Sequence, residues 1–369
     1  MPIRVLPILL FAAFSVSGTR TDQRAATSRD ALRPGSGLSR ATSRDDAASI
    51  ARAVTAAKAF LATLNDEQRA RAVLPLNPTT RKVWSNLPTG TTMQVGATER
   101  NGLKLGAMSA AQQDAALALV AATLSRGGFQ KVMNIVNADQ QLEVASAPQR
   151  GAGNRVRFGR AEYYVAILGT PSADSRWMLQ FGGHHLAINV SMAGRQSVLT
   201  PTHTGAQPAA YTLNGQTIRP LGSENDKAFA LVNALNPVQQ KQAVLGYEVR
   251  NLVLGPGEDG KVIQPEGVRA ATFNQSQRAM LLDLVREWVD ILDESAATTK
   301  MSEITSHLDD TWFAWSGSTT NGGLAYFRIQ GPTVLIEYAP QGIPKPSNDH
   351  IHTIYRDPTN DYGAKLTAP

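Results

Sequence analysis

Apolar residues recur at helical spacing from Ala47 to Leu74. Ile50, Val54, Ala57, Phe60, Leu61 and Leu64 share one face and predict an amphipathic helix. The pattern breaks at Leu64-Asn65, where Asn65 is a good N-cap for a second helix that Pro75 and Pro78 then stop. A further helix is expected from Ser109 through Leu117, Leu119, Val120 and Leu124, ending at Gly127-Gly128. The later chain repeats the plan, with helices over about Asp226–Leu235, after Asn236 with Pro237 in the first turn, and from Asn274 to about Leu292. β-rich stretches close each half. Tyr163–Leu168 leads through a turn into Trp177–Val190, and Trp312–Trp315 leads through a Gly-rich turn into Leu324–Ala339.

This order reads as one half written twice. Leu64–Leu74 matches Leu235–Leu245, and Gly102-Leu103 with Met108–Gln112 matches Gly267-Val268 with Phe273–Gln277. Trp177–Val190 likewise matches Ala325–Tyr338, and the three matches keep their order. The fold expected is α+β and internally duplicated, with two similar helix-helix-hairpin lobes about a pseudo-two-fold axis. The first lobe spans residues 49–220 and the second 221–369. Ahead of them, Arg4, the apolar run Val5–Phe14 and the small residues Ser15, Ser17 and Gly18 read as a signal peptide over residues 1–18. That run is too short to span a bilayer, so no membrane span is expected. Residues 19–48, rich in Arg, Ser, Ala, Gly and Asp, read as a disordered linker. The implied location is secreted or periplasmic.

Charge adds little. Of the net charge of +6, residues 1–52 carry +4 through eight arginines and four aspartates, which leaves the body near neutral. With no basic helix or aromatic-interleaved basic patch, nucleic acid is not an expected partner; a small molecule is. The oligomeric state is not legible. The chain has no cysteine, so thiol chemistry and thiolate-bound metals are excluded.

The histidines carry the candidate chemistry. His184 and His185 stand in one half where the other has Pro332 and Thr333, an asymmetry a purely structural repeat does not need. Read as one strand, Gly183–Val190 puts His184 with Leu186, Ile188 and Val190, and His185 with Asn189 on the other face. By the repeat, Asn189 is equivalent to Glu337. In Asp349-His350-Ile351-His352 the two imidazoles fall on one side of an extended segment and can offer two nitrogens to one ion. The site expected is a divalent transition metal, zinc first, on His185, His350 and His352 with His184 as alternate ligand. Glu337 would be the fourth ligand or the base, and Arg356 would stabilise an oxyanion. Structural readings stand beside these: His184 as a hydrogen-bonded core residue, and Glu337 as ion-pair partner of Arg356 or Arg328. His203 fits a surface loop as well as a site, and His307 receives no role. Gly255–Lys261 has phosphate-loop spacing, but Val262 replaces the hydroxyl and no helix follows. Neither a G-x-S-x-G elbow nor an H-E-x-x-H helix occurs.

Gly183-His184-His185-Leu186, Thr200-Pro201, Gly205-Ala206-Gln207-Pro208 and the closing His352–Pro358 with Asn360–Gly363 resemble the DUF3500 family. Trp84–Pro88 and Gly102-Leu103 extend the resemblance over about residues 50–365. It implies that the histidine block and the tail belong to one plan, and it names no reaction. The residues themselves lead to an exported metal-dependent hydrolase acting on a small substrate through a metal-bound water. The alternative is a non-catalytic exported binding protein whose cleft between the lobes uses the histidines, Trp177, Tyr326 and Arg356.

Overall fold

A computed structural model of the protein describes residues 37–91, 99–151, 153–342 and 345–367, and for residues 37–46 the backbone alone. The expected signal peptide and the front of the expected linker lie outside the described residues. The rest of that linker is helical: α1 spans Gly37–Ala62, whose later turns carry the buried Ile50–Phe60 stripe. α2 (Asp66–Ala72), β1 (Val73–Leu74), β2 (Leu103–Lys104) and α3 (Ala110–Thr123) follow. Next comes α4 (Arg126–Ser146), a helix the hydrophobic pattern did not predict. Gly127-Gly128 does not end a helix; it lies in the first turn of α4, capped by the Ser125 hydroxyl. A Cβ on Gly128 would stand 2.2 Å from the Ile291 carbonyl oxygen, so the glycine serves a close backbone approach. Strands β3 (Tyr164–Leu168), β4 (Trp177–Gly183), β5 (Leu186–Ala193), β6 (Gln196–Val198) and β7 (Thr202–Ala206) complete this part, followed by a small β8–β9 hairpin (Tyr211–Leu213, Gln216–Ile218).

The remainder runs α5 (Gly222–Ala234), α6 (Pro237–Ala243), β10 (Val268–Arg269), α7 (Gln275–Val289) and α8 (Glu294–Ser306). β11 (Trp312–Gly317), β12 (Ala325–Gly331), β13 (Val334–Gln341) and β14 (Ser347–Arg356) end it. α8 was also not predicted. The protein is thus mixed α+β with one large mixed sheet, ordered β1-β3-β4-β5-β7-β14-β13-β12-β11-β10. β7 and β14 lie at its centre as antiparallel neighbours, with Thr204 opposite Thr353.

One face of the sheet is apolar and carries the helices. Val165, Leu179, Phe181, Ile188 and Val190 pack on α1, α3 and α4, and Phe313, Phe327, Ile336, Ile351 and Tyr355 pack on α5, α7 and α8. Burying such strand faces contributes roughly 1.5–3 kcal/mol per large side chain. Alternation then sends Gln180, Asn189, Arg328, Glu337, His352 and Arg356 to the other face. There the segments around Trp84 and Leu254 and the C-terminal turn at Tyr362 cover them. A buried polar face under loops is where this sequence can hold chemistry.

Four helix starts use the same device. Asn65–Gln68, Ser109–Gln112, Asn236–Gln239 and Asn274–Gln277 are capping boxes. The glutamines then pair amide to amide, Gln68 with Gln112 and Gln239 with Gln277.

Candidate metal centre

The Gly183–Val190 stretch is not one strand. β4 and β5 pair from Gly183↔Leu186 outward, which makes His184 and His185 the two turn residues of a hairpin. Strand alternation therefore does not govern them, and both rings are buried, stacked with centroids 3.6 Å apart. His185 takes φ +66°, a left-handed conformation costly for a residue with a Cβ. Glycine or asparagine is the ordinary occupant of such a turn position. The turn is pinned by the His185 N–H donating to the Asn86 carbonyl (3.0 Å) and the Tyr163 hydroxyl donating to the His184 carbonyl (2.7 Å).

The tail meets this turn. β14 presents His350 and His352 on the polar face, and His352 sits between two small neighbours, Gly205 on β7 and Ala339 on β13. A Cβ at Gly205 would stand 3.2 Å from both the His185 and His352 rings, so the glycine clears the space those rings use. The His350 Nε2 lies 2.8 Å from His185 Nε2 and 3.1 Å from His352 Nε2. Each neutral imidazole has one N–H, and three converging nitrogens cannot all satisfy one another. Two nitrogens held about 2.05 Å from one ion are about 3.3 Å apart in a tetrahedral site and about 2.9 Å apart at right angles, so these pairs stand at or slightly inside the spacing of shared ligands. All three histidines have ligand atoms within 4.8 Å of one another, a group that could hold an ion. His185 and its neighbourhood are buried while His350 and His352 are half-buried, so the ion would be reached from the tail side.

Two residues join that the sequence reading did not place. Asp139, on the unpredicted helix α4, has one carboxylate oxygen 2.6 Å from His184 Nδ1, and its other oxygen accepts the Gly159 N–H at 2.7 Å. Against a carboxylate, Nδ1 must donate, which makes Nε2 the one ring nitrogen of His184 that can turn to an ion or a proton. Asp139, His184 and His185 form a second group able to hold an ion, sharing His185 with the first. His203 is the other addition. Thr202–Ala206 is a central strand and not a surface loop, and His203 is fully buried with its ring centroid 5.0 Å from that of His352. Neither of its ring nitrogens has a hydrogen-bond partner of normal geometry. Flanking prolines at 201 and 208 masked this strand; the alternation Thr202, Thr204 was its signal.

Glu337 and Arg356 are not brought to the cluster. The Glu337 carboxylate is fully buried and accepts the N–H groups of Val253 (3.0 Å) and Leu254 (2.7 Å) and the Tyr326 hydroxyl. Arg356 donates to the carbonyls of Leu254 and Gly255 and pairs with Asp259 and Asp361. Both serve the loop cover, and neither partners the other. Of the ligand contacts of the binding-protein alternative, Trp177 is buried in the apolar core under the helices, and Tyr326 and Arg356 are buried under the loop cover.

Burial sets the imidazoles' charge. It holds His185 and His352 well below their ordinary pKa, with neighbouring histidines adding to the effect, and lowers His350 to about 4 and His203 to about 3. These rings stay neutral in the fold, while the unfolded chain takes protons below about 6.5. The metal-free protein is therefore expected to keep its full stability above about pH 6.5 and to lose it as pH falls toward 4. Thermal midpoints in chelator at pH 7.5, 6.0 and 5.0 should descend, and His203→Gln should flatten the slope. Midpoints independent of pH across that window would refute the assignment of neutral rings.

The fold and site together define a class: a mixed α+β protein with one large sheet and a buried histidine cluster able to hold a metal ion. The chain belongs to the DUF3500 family, described as a protein of unknown function, whose family model matches residues 46–364. No curated protein and no solved structure matches it.

Proposed function

We propose that the protein is an exported metal-dependent hydrolase whose ion is held by His185, His350 and His352. The observation that carries this reading is the convergence of three Nε2 atoms from a strained hairpin turn and the central strand. Three imidazoles without a carboxylate among them suit zinc or a neighbouring late first-row ion. Such an ion supplies a bound water with a pKa near 7. With Glu337 committed elsewhere, the Asp139–His184 pair takes the role of proton acceptor: the carboxylate fixes the tautomer and the ring lies against the ligand His185. The purified full chain is expected to carry about one ion per molecule and to cleave some member of a chromogenic ester and phosphoester panel, with chelator abolishing turnover. Asp139→Asn should keep the metal and lose at least about a hundredfold in kcat. A chain that takes up no zinc, copper, iron or manganese and gains no thermal stability from them would end the proposal. Metal uptake without turnover would turn it toward a metal-binding module.

Internal duplication belongs to the same reading, with lobes 49–220 and 221–369. Its support is the order of elements on either side of the central β7–β14 pair and the repeated glutamine pairs at equivalent helix starts. On this view the histidine turn is a specialisation of one copy. Export rests on the N-terminal charge and apolar pattern alone.

A further inference from the structure

At the other end of β4 from the histidine turn, two arginines face a hollow of about 500 Å³ lined by Leu76, Asn77, Pro78, Arg81, Gly169 and Arg176. β4 has seven residues, so this hollow is about 20 Å along the strand from His184 and is no part of the metal centre. Both arginines are held in place. The Thr80 and Arg81 carbonyls accept from the side chains of Asn101 (2.6 Å) and Gln180 (2.9 Å). The Arg81 guanidinium lies 5.4 Å above the Tyr362 ring, and Arg176 Nη2 donates to the Tyr362 carbonyl at 2.7 Å. Tyr362 itself is anchored through its hydroxyl to Trp84 and Asp259.

Yet the charges are left uncompensated. Among the described residues neither arginine forms an ion pair with a carboxylate, although arginines elsewhere in the chain commonly do. The Nε of each is buried and without a hydrogen-bond partner. Burial, and then the neighbouring Arg81, lower the proton affinity of Arg176, as expected of two like charges held side by side. No acidic side chain lines the hollow. A guanidinium fork matches one edge of a carboxylate, whereas two forks offer donors to several oxygens at once, which suits a tetrahedral oxyanion.

We propose that Arg81 and Arg176 form a binding site for a phosphate or sulfate group, in a hollow roomy enough for the small molecule that carries it. The site neutralises two positive charges that line one hollow without a carboxylate partner among the described residues. It is independent of the metal reading, and metal content need not change when it is altered.

The test is titration of the full-length protein with inorganic phosphate, sulfate and phenyl phosphate, read by calorimetry and thermal shift at constant ionic strength in chloride. Phosphate should stabilise the wild type and Arg250→Gln, an exposed arginine already paired with Glu248. Arg81→Gln and Arg176→Gln should weaken binding about tenfold or more. Arg176→Lys, which keeps the charge and loses the fork, should bind more weakly than wild type while remaining folded. Phenyl phosphate binding more tightly than inorganic phosphate would place the carrier in the hollow; equal affinity would restrict the site to the free anion. No response beyond chloride in the wild type, or an unchanged response in folded Arg81 and Arg176 variants, would overturn the site.

Discussion

Alanine at His350 is expected to abolish stoichiometric metal binding and leave the chain folded. Its Nε2 is the shared nitrogen of the cluster, 2.8 Å from His185 and 3.1 Å from His352, so its removal takes away the ligand that links the other two. Loss of a hydrogen-bonding partner behind a ligand costs ten- to a hundredfold in affinity, and loss of the ligand itself should cost at least about a hundredfold. The ring is half-buried at the start of β14, where truncation opens no large cavity, so the fold should tolerate the change. Metal content by elemental analysis and affinity by calorimetry read the outcome, with circular dichroism as the control for folding. A His350→Ala protein that retains a full complement of tightly held ion would remove the three-histidine site.

The second large effect lies elsewhere and has the opposite signature. Glu337→Ala should lower stability by about 1–3 kcal/mol for each buried donor left without a partner, while any folded fraction keeps its metal. The buried carboxylate gathers the Val253 and Leu254 N–H groups and the Tyr326 hydroxyl, and its removal strands three donors beneath the loop that covers the sheet. Tyr326, raised far above its usual pKa by burial and then by this carboxylate, keeps its proton and donates it to Glu337. Denaturant unfolding and elemental analysis on the same sample separate the two readings. If Glu337→Ala instead left stability intact and removed turnover or metal, the carboxylate would be a site residue after all.

These two residues mark how far the sequence could be read. The histidine block and the H-x-H tail were legible as one plan, because an i, i+2 pair on an extended segment has a definite side and the asymmetry with Pro332-Thr333 singled out His184-His185. The turn between β4 and β5 was not legible: neither of its two central positions is Gly or Asn, since His185 itself adopts the positive φ. The hydrogen-bond partners of Glu337 were hidden for a related reason. Strand alternation fixes the face of the sheet on which Glu337 lies but not which covering loop arrives there. α4, and with it Asp139, escaped because Gly127-Gly128 has the composition of a helix end while serving a tight backbone contact with Ile291. Capped helices with regular stripes, α2, α3, α6 and α7, were located to within a few residues, because local hydrogen bonding dictates their starts.

His185 and His350 are 165 positions apart in sequence, and they face each other where a hairpin tip overhangs the strand at the middle of the sheet. A cation held there would act as a rivet between chain segments that otherwise meet only through strand pairing and packing. Its binding free energy would then count toward global unfolding, by about 2.7 kcal/mol at a hundredfold excess over Kd. A cysteine-free chain built this way would draw its covalent-like cross-link from whatever metal its surroundings supply, and its durability would rise and fall with that supply.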